Sequence, residues 1–227
     1  MNLSRLAIVV VPVVAFLAGC GGRPLHVVLS DADSAYNRGD YTSAKTDYAT
    51  YVDRRPEEVH VRYRYGKALI AGGEARTAVE QLNICTDVSP LNDSYLDAQA
   101  QAMFESNEGE ALQGLLARAA SERGRVTDYL RQGHYAVLLG NLDEARQAFL
   151  TASKLDQGKS WQVQREIADF YAKVGDREKQ VRRLRMAFYL NPENEALLAE
   201  IRRVGEVPGP TFGLLPEEMF LTASAPE

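Results

Sequence analysis

Apolar and small residues recur at i, i+3, i+4 and i+7 along Tyr41–Arg54, Ala75–Val88 and Leu142–Asp156. That is the period of a helix with one buried face. No segment alternates apolar and polar residues with period 2, so no strand competes. The helical stretches are punctuated in two ways. Gly39, Gly73, Gly140 and Gly175 stand where one helix must end and the chain must turn with positive φ. Asp40, Glu74, Asn141 and Asp176 follow them and suit the start of the next helix. Pro56, Pro90 and Pro192 fall between helix pairs, where they interrupt nothing. The pattern predicts an all-α chain of paired helices.

The pairs repeat. Gly39 and Gly73 are 34 residues apart, as are Ala44 and Ala78, and Pro56 and Pro90. Gly140 and Gly175 are 35 apart, as are Phe149 and Leu184. The chain tiles as five units: 25–58, 59–92, 93–125, 126–160 and 161–194. Position 8 of each unit is small: Ala32, Gly66, Ala100, Gly133 and Ala168. Position 24 is large: Tyr48, Leu82, Leu116, Phe149 and Leu184. A 34-residue period with Gly-Asp-Tyr-x-x-Ala and a closing proline resembles the tetratricopeptide repeat. The resemblance implies an all-α, right-handed solenoid of about five helix-turn-helix units. Position 8 would be the close crossing of the two helices, and position 24 the filler between units. Leu197, Leu198 and Ile201 form the apolar face of one more helix, within 195–205, that would cap the open end. Residues 206–227 are rich in proline and read either as an extended arm packed on the solenoid or as a disordered tail with a docking motif. The third unit departs most. Asn107 replaces the turn glycine, and Gly114 inside its second helix costs about 1 kcal/mol relative to alanine.

The first 19 residues are of another kind. One arginine precedes the apolar run Leu6–Leu17, which only Pro12 interrupts. The run is too short to span a bilayer but has the length of a signal-peptide core. Leu17-Ala18-Gly19-Cys20 follows and resembles the bacterial lipobox. The resemblance implies cleavage before Cys20, acyl chains on that cysteine, residues 20–24 as a lipidated linker, and membrane anchoring without a spanning helix. By resemblance to proteobacterial sorting, Gly21 rather than aspartate after the cysteine implies the outer membrane, facing the periplasm. If Cys20 carries lipid, Cys85 has no partner in the chain, and its place on an apolar helix face predicts a buried, reduced thiol.

Composition narrows the function. Of 227 residues, 45% are apolar and 25% charged, which is globular rather than disordered. The net charge of −5, or −6 once Arg5 is removed with the signal, argues against a nucleic-acid binder. No phosphate-binding glycine loop, nucleophile elbow or metal-spaced His/Cys set occurs, so neither catalysis, a cofactor nor a metal is expected. Lys179, Arg182, Arg183 and Arg185 make the fifth unit's second helix strongly basic. They read as a solvated face or as a docking patch.

In the family, the first helices line a concave groove, through positions 2, 5, 9 and 12. Candidate contacts to a partner are therefore Tyr36, His60, Tyr63, Lys67, Phe104, His134 and Arg165. Aromatic and apolar residues among a few charges suit a peptide or helix. Position 9 reads Asp33, Lys67, Gln101, His134 and Asp169, without the asparagine of the clamp used by chaperone-tail binders. Taken together, the chain resembles small repeat lipoproteins of pilus and secretin assembly. The leading expectation is an anchored adaptor that binds another envelope protein through the groove and the membrane through Cys20. The alternative is a structural or cell-wall-glycan-binding lipoprotein, with Tyr36, Tyr63 and Phe104 stacking on sugars.

Overall fold

In the computed structural model, residues 22–223 are described; the expected signal peptide and the expected lipid attachment at Cys20 lie outside them. The chain runs α1 (Leu25–Asn37), α2 (Tyr41–Arg54), α3 (Val59–Ala71), α4 (Ala75–Val88), α5 (Asp93–Glu105), α6 (Gly109–Arg123), α7 (Val126–Leu138), α8 (Leu142–Asp156), α9 (Trp161–Lys173), α10 (Arg177–Leu190), α11 (Glu195–Arg203) and α12 (Glu218–Ala223). Helices α1–α10 pack as consecutive antiparallel pairs, each against the next, and α11 covers the end of the stack on α10. Among the described residues there is no strand, and no helix is long and apolar enough to cross a membrane.

One turn recurs within the pairs. Asp40 N–H donates back to the Ala35 carbonyl at 2.9 Å, and Glu74, Glu108, Asn141 and Asp176 make the equivalent bond. This is the Schellman closure, which needs a left-handed residue. Gly39 supplies it at φ 78°, and in the third pair Asn107 supplies it at φ 61°. Asparagine is the side chain that tolerates this region best. The acids after the turn differ in what they do. Asp40 and Asp176 accept from the N–H groups of Ser43 and Lys179, whereas Glu74 and Asn141 make no side-chain cap.

The core repeats too. Ala32, Ala100 and Ala168 are fully buried, and Gly66 and Gly133 are buried with them. A Cβ on Gly66 would come within 2.7 Å of Leu82 Cγ, and one on Gly133 within 2.9 Å of the Phe149 ring. Position 24 thus fills the space that position 8 leaves. The third unit is looser: α6 packs more extensively on α7 than on its own partner α5. At the crossing where other units place Ala44, Ala78 and Ala145, it buries Leu112, and the larger side chain holds the helices apart. Cys85 is buried, its Sγ near the Val59 and Gln81 carbonyls. Burial, partly offset by the Arg62 charge, pushes its pKa up to about 11.

Two turns between pairs lack a proline, and each is fastened by something else. After α6 the chain turns at Gly124, φ 63°. There Asp128, with no exposed side-chain surface, is enclosed by Arg123, Arg125 and Arg131 at 3.4, 2.8 and 2.9 Å. The same guanidiniums reach Asp93 and Asp97 of α5, so the cluster ties the third pair to the fourth. After α8 the chain turns at Gln157 and Gly158, both left-handed. Pro216 of the C-terminal arm sits against Gly158, where a Cβ would meet Pro216 Cβ at 2.7 Å.

Residues 206–217 are irregular, and the arm they form packs on the solenoid. The Phe212 ring is buried and meets Phe188 at 5.6 Å, nearly perpendicular. Leu214 N–H donates to the Arg185 carbonyl, and Arg185 Nε donates to the Phe212 carbonyl. Buried Glu218 accepts from Arg183 and from the Ser153 hydroxyl, each at 2.6 Å, and from the Gln164 amide at 3.3 Å. The basic run of α10 is therefore a solvated face only in part: Lys179 and Arg182 keep more than half of their side chains exposed. Arg182 pairs with Glu217, Arg183 is buried on Glu218, and Arg185 holds the arm's backbone.

Candidate functional site

A concave groove of about 1000 Å³ runs along one face of the stack. Its wall is built by alternate helices: Tyr63 and Lys67 of α3, Asp97 and Gln101 of α5, Leu130, Arg131, His134 and Tyr135 of α7, and Glu166, Asp169 and Lys173 of α9. The second helices stay behind this wall; among the described residues of these helices only Phe149 of α8 reaches through, past Gly133. Stacking the pairs in register is what aligns four first helices side by side.

Of the residues expected from sequence, Tyr63, Lys67 and His134 line the groove. The Tyr63 ring packs on Tyr95 at 5.0 Å. The Lys67 ammonium lies 5.8 Å over Tyr36 and 5.7 Å over Tyr63, a pair of cation–π contacts that orients the side chain along the wall. His134 meets Tyr135 edge-on at 5.5 Å. Enclosure by the wall and then the Lys173 charge lower its pKa below the ordinary histidine value.

Four expected residues lie elsewhere. His60 is exposed at the start of α3, with Nδ1 3.2 Å from Glu58. Tyr36 lines a separate cavity of about 320 Å³ with Asp33, Tyr48, Arg64 and Lys67. Phe104 is half-buried against Tyr135 at 6.0 Å. Arg165 turns away to Glu200 at 2.8 Å. As a result Tyr36, Tyr63 and Phe104 do not form one aromatic platform. Conversely, Arg131, Tyr135, Glu166, Phe170 and Lys173 line the groove without having been singled out. They stand at positions 6, 10 and 13. Residues four apart share a helix face as surely as residues three apart, so the signal was the i+4 row beside the one used.

The wall carries both signs of charge. Arg131 Nε donates to Asp97 at 2.5 Å, joining α5 to α7 across the floor. Glu166 is raised above the usual carboxylate range by burial and by Asp169. Asp169 is raised by burial and by the Glu200 charge, against the pull of Arg165. Both carboxyls therefore bind protons more tightly in the folded chain than in the unfolded one. Their contribution opposes folding at neutral pH and is relieved as pH falls through the raised values. Glu166→Gln should raise the melting temperature at pH 7 and should lose that advantage in mildly acidic buffer, as thermal scans at the two pH values would show. Among the described residues no group of three or more His, Cys, Asp or Glu is placed to hold a metal ion.

No protein-family model matches the sequence, and no curated protein resembles it in sequence. Solved structures do resemble it. The chain is similar to a tetratricopeptide-repeat protein of Parabacteroides merdae, at TM-score 0.59 and 16% identity over 81% of this chain and 73% of that one. It is similar to the MamA protein, at TM-score 0.55 and 18% identity over 79% and 94%. It is also similar to a thermophilic tetratricopeptide-repeat protein of Thermus thermophilus, at TM-score 0.53 and 16% identity over 80% and 98%. The described chain has the fold of a tetratricopeptide-repeat solenoid.

Proposed function

We propose that this chain is an interaction scaffold that holds a segment of another envelope protein in its concave groove and is itself anchored to the membrane by lipid on Cys20. The observation that carries the scaffold reading is the continuous groove across α3, α5, α7 and α9, with tyrosines interleaved among Lys67, Arg131 and Asp97. Amphipathic rings and fixed charges along a preformed trough suit a peptide or helix laid across several units. The anchoring reading is supported by the order of apolar run, small residues and cysteine at Leu6–Cys20. The periplasmic face of the outer membrane is the location this reading favours.

Tyr63→Ala with Lys67→Glu changes the wall at one half-exposed and one exposed position. The double variant should fold as the parent does yet lose a stoichiometric protein partner on purification from detergent-solubilised envelope. Retention of that partner would count against the groove. Cys20→Ser should release the protein from the membrane fraction or leave the precursor uncut. A mature-size variant that still sediments with membrane would refute the anchor.

A further inference from the structure

We infer that one edge of the solenoid, the edge made by the turns between helix pairs, lies against a lipid bilayer, with Val88 and Leu91 in contact with it. This rests on the reading of Cys20 as lipidated. Four residues, 21–24, separate Cys20 from the first residue of α1. Five chain steps of roughly 3.5 Å reach about 17 Å at most. The start of α1 is thus held close to the lipid headgroups.

The rest of the edge is fixed to that point by contacts. Arg54, at the end of α2, donates to the Arg23 carbonyl at 2.8 Å. Arg62 of α3 donates to the Pro56 carbonyl in the α2–α3 turn at 3.2 Å. Cys85 of α4 lies beside the Val59 carbonyl, which puts the end of α4 next to the start of α3. Arg123, at the end of α6, donates to the Pro90 carbonyl. The turns after α2, α4 and α6 therefore share the edge from which the chain leads back to Cys20.

On this edge Leu91 is 72% exposed and Val88 59%, with Ile84 at 41% one turn further back on α4. Ile84 and Val88 lie one turn apart on α4, Leu91 lies in the turn just past its end, and the described chain leaves Val88 and Leu91 mostly uncovered. The acyl tether points to the bilayer as occupant, because it holds the end of this edge, and not of the opposite one, at the lipid surface. Leu138 and Leu142 are also exposed, at 43% and 41%. They flank the α7–α8 turn, on the opposite edge. A helix of 13 residues spans about 20 Å, so that edge stands a helix length further from the lipid. The turn after α2 carries Arg54 and Arg55 beside Glu57 and Glu58, so the contact does not depend on anionic lipid. The helices then stand upright on the bilayer, and the groove opens sideways, parallel to the membrane plane.

The test uses the full mature protein, purified from membranes and reconstituted in phosphatidylcholine vesicles, with a spin label at Leu91→Cys or Leu142→Cys. Cys85 is buried and will not take the label. The label at 91 should collide more with lipid-soluble oxygen and less with a water-soluble nickel chelate than the label at 142. Adding anionic lipid should leave that contrast unchanged. Equal collision ratios at the two sites, in protein whose N-terminal peptide carries acyl mass, would overturn the inference alone. An unacylated N-terminus would overturn it together with the anchor.

Discussion

Leucine in place of Gly66 should cost the fold about 3 kcal/mol or more, the upper end of what overpacking a core costs. Even a bare Cβ at this position would lie 2.7 Å from Leu82 Cγ and 2.8 Å from its Cδ2. Leu82 is itself fully buried and has nowhere to move, so the helices of the second pair would have to separate. A solenoid is stabilised by contacts between neighbours; the loss would spread to the first and third pairs and appear as a lower, broader thermal transition by circular dichroism. Gly114→Ala is the matched control. It lies in the middle of α6 with nothing within 4 Å of its would-be Cβ, so removing glycine's entropy cost should stabilise by up to about 1 kcal/mol. Opposite signs for two helical glycines distinguish a packing requirement from helix propensity.

Asp128→Ala should be nearly as damaging, by about 3–5 kcal/mol, the usual cost of removing one partner from a buried charge cluster. It leaves Arg123 and Arg131, each with only 10% of its side chain exposed, without their shared carboxylate. Asp128→Asn keeps the shape and some hydrogen bonds, and should cost less. The same cluster sets an acid limit. Burial would raise the Asp128 carboxyl, but the Arg125 hydrogen bond and the charges of Arg125, Arg123 and Arg131 outweigh it and hold it below the ordinary value. Glu218 behaves alike: burial is outweighed by Ser153 and Arg183. Carboxyls with depressed folded pKa values stabilise the protein above their unfolded values of about 4, and that stabilisation is lost as pH falls through the folded values. Chemical denaturation repeated at decreasing pH should therefore show a drop below about pH 4 that is smaller in the Asp128→Asn variant.

These two sites differ in how far the sequence discloses them. Gly66 belongs to a row of small residues at one position of every unit, and Leu82 to the matching row of large ones. Such a contact is legible because the repeat states it five times. The turns are legible for the same reason, down to Asn107 taking the place of glycine. The groove is legible in part: position 9 points into it in α3, α5, α7 and α9, but the i+4 row that supplies Arg131 and Glu166 was not used. Asp128 and Glu218 carry no such signature. Arg183 reaches Glu218 over 35 residues, and Ser153 reaches it over 65. Neither contact repeats with the unit, because each closes a turn that has lost its proline. His60 and Arg165 illustrate a third limit. Each stands at a register position that faces the groove in the family, yet Glu200 draws Arg165 away and His60 lies exposed at the start of α3 beside Glu58.

The central claim, that the groove holds a segment of another protein, is tested most directly by photocrosslinking in intact cells. A photoreactive amino acid at Gln101, on the groove wall, should yield one discrete adduct with another envelope protein. The same amino acid at Glu80, exposed on second helix α4, should yield none. No adduct from Gln101, or the same adduct from both positions, would contradict the account.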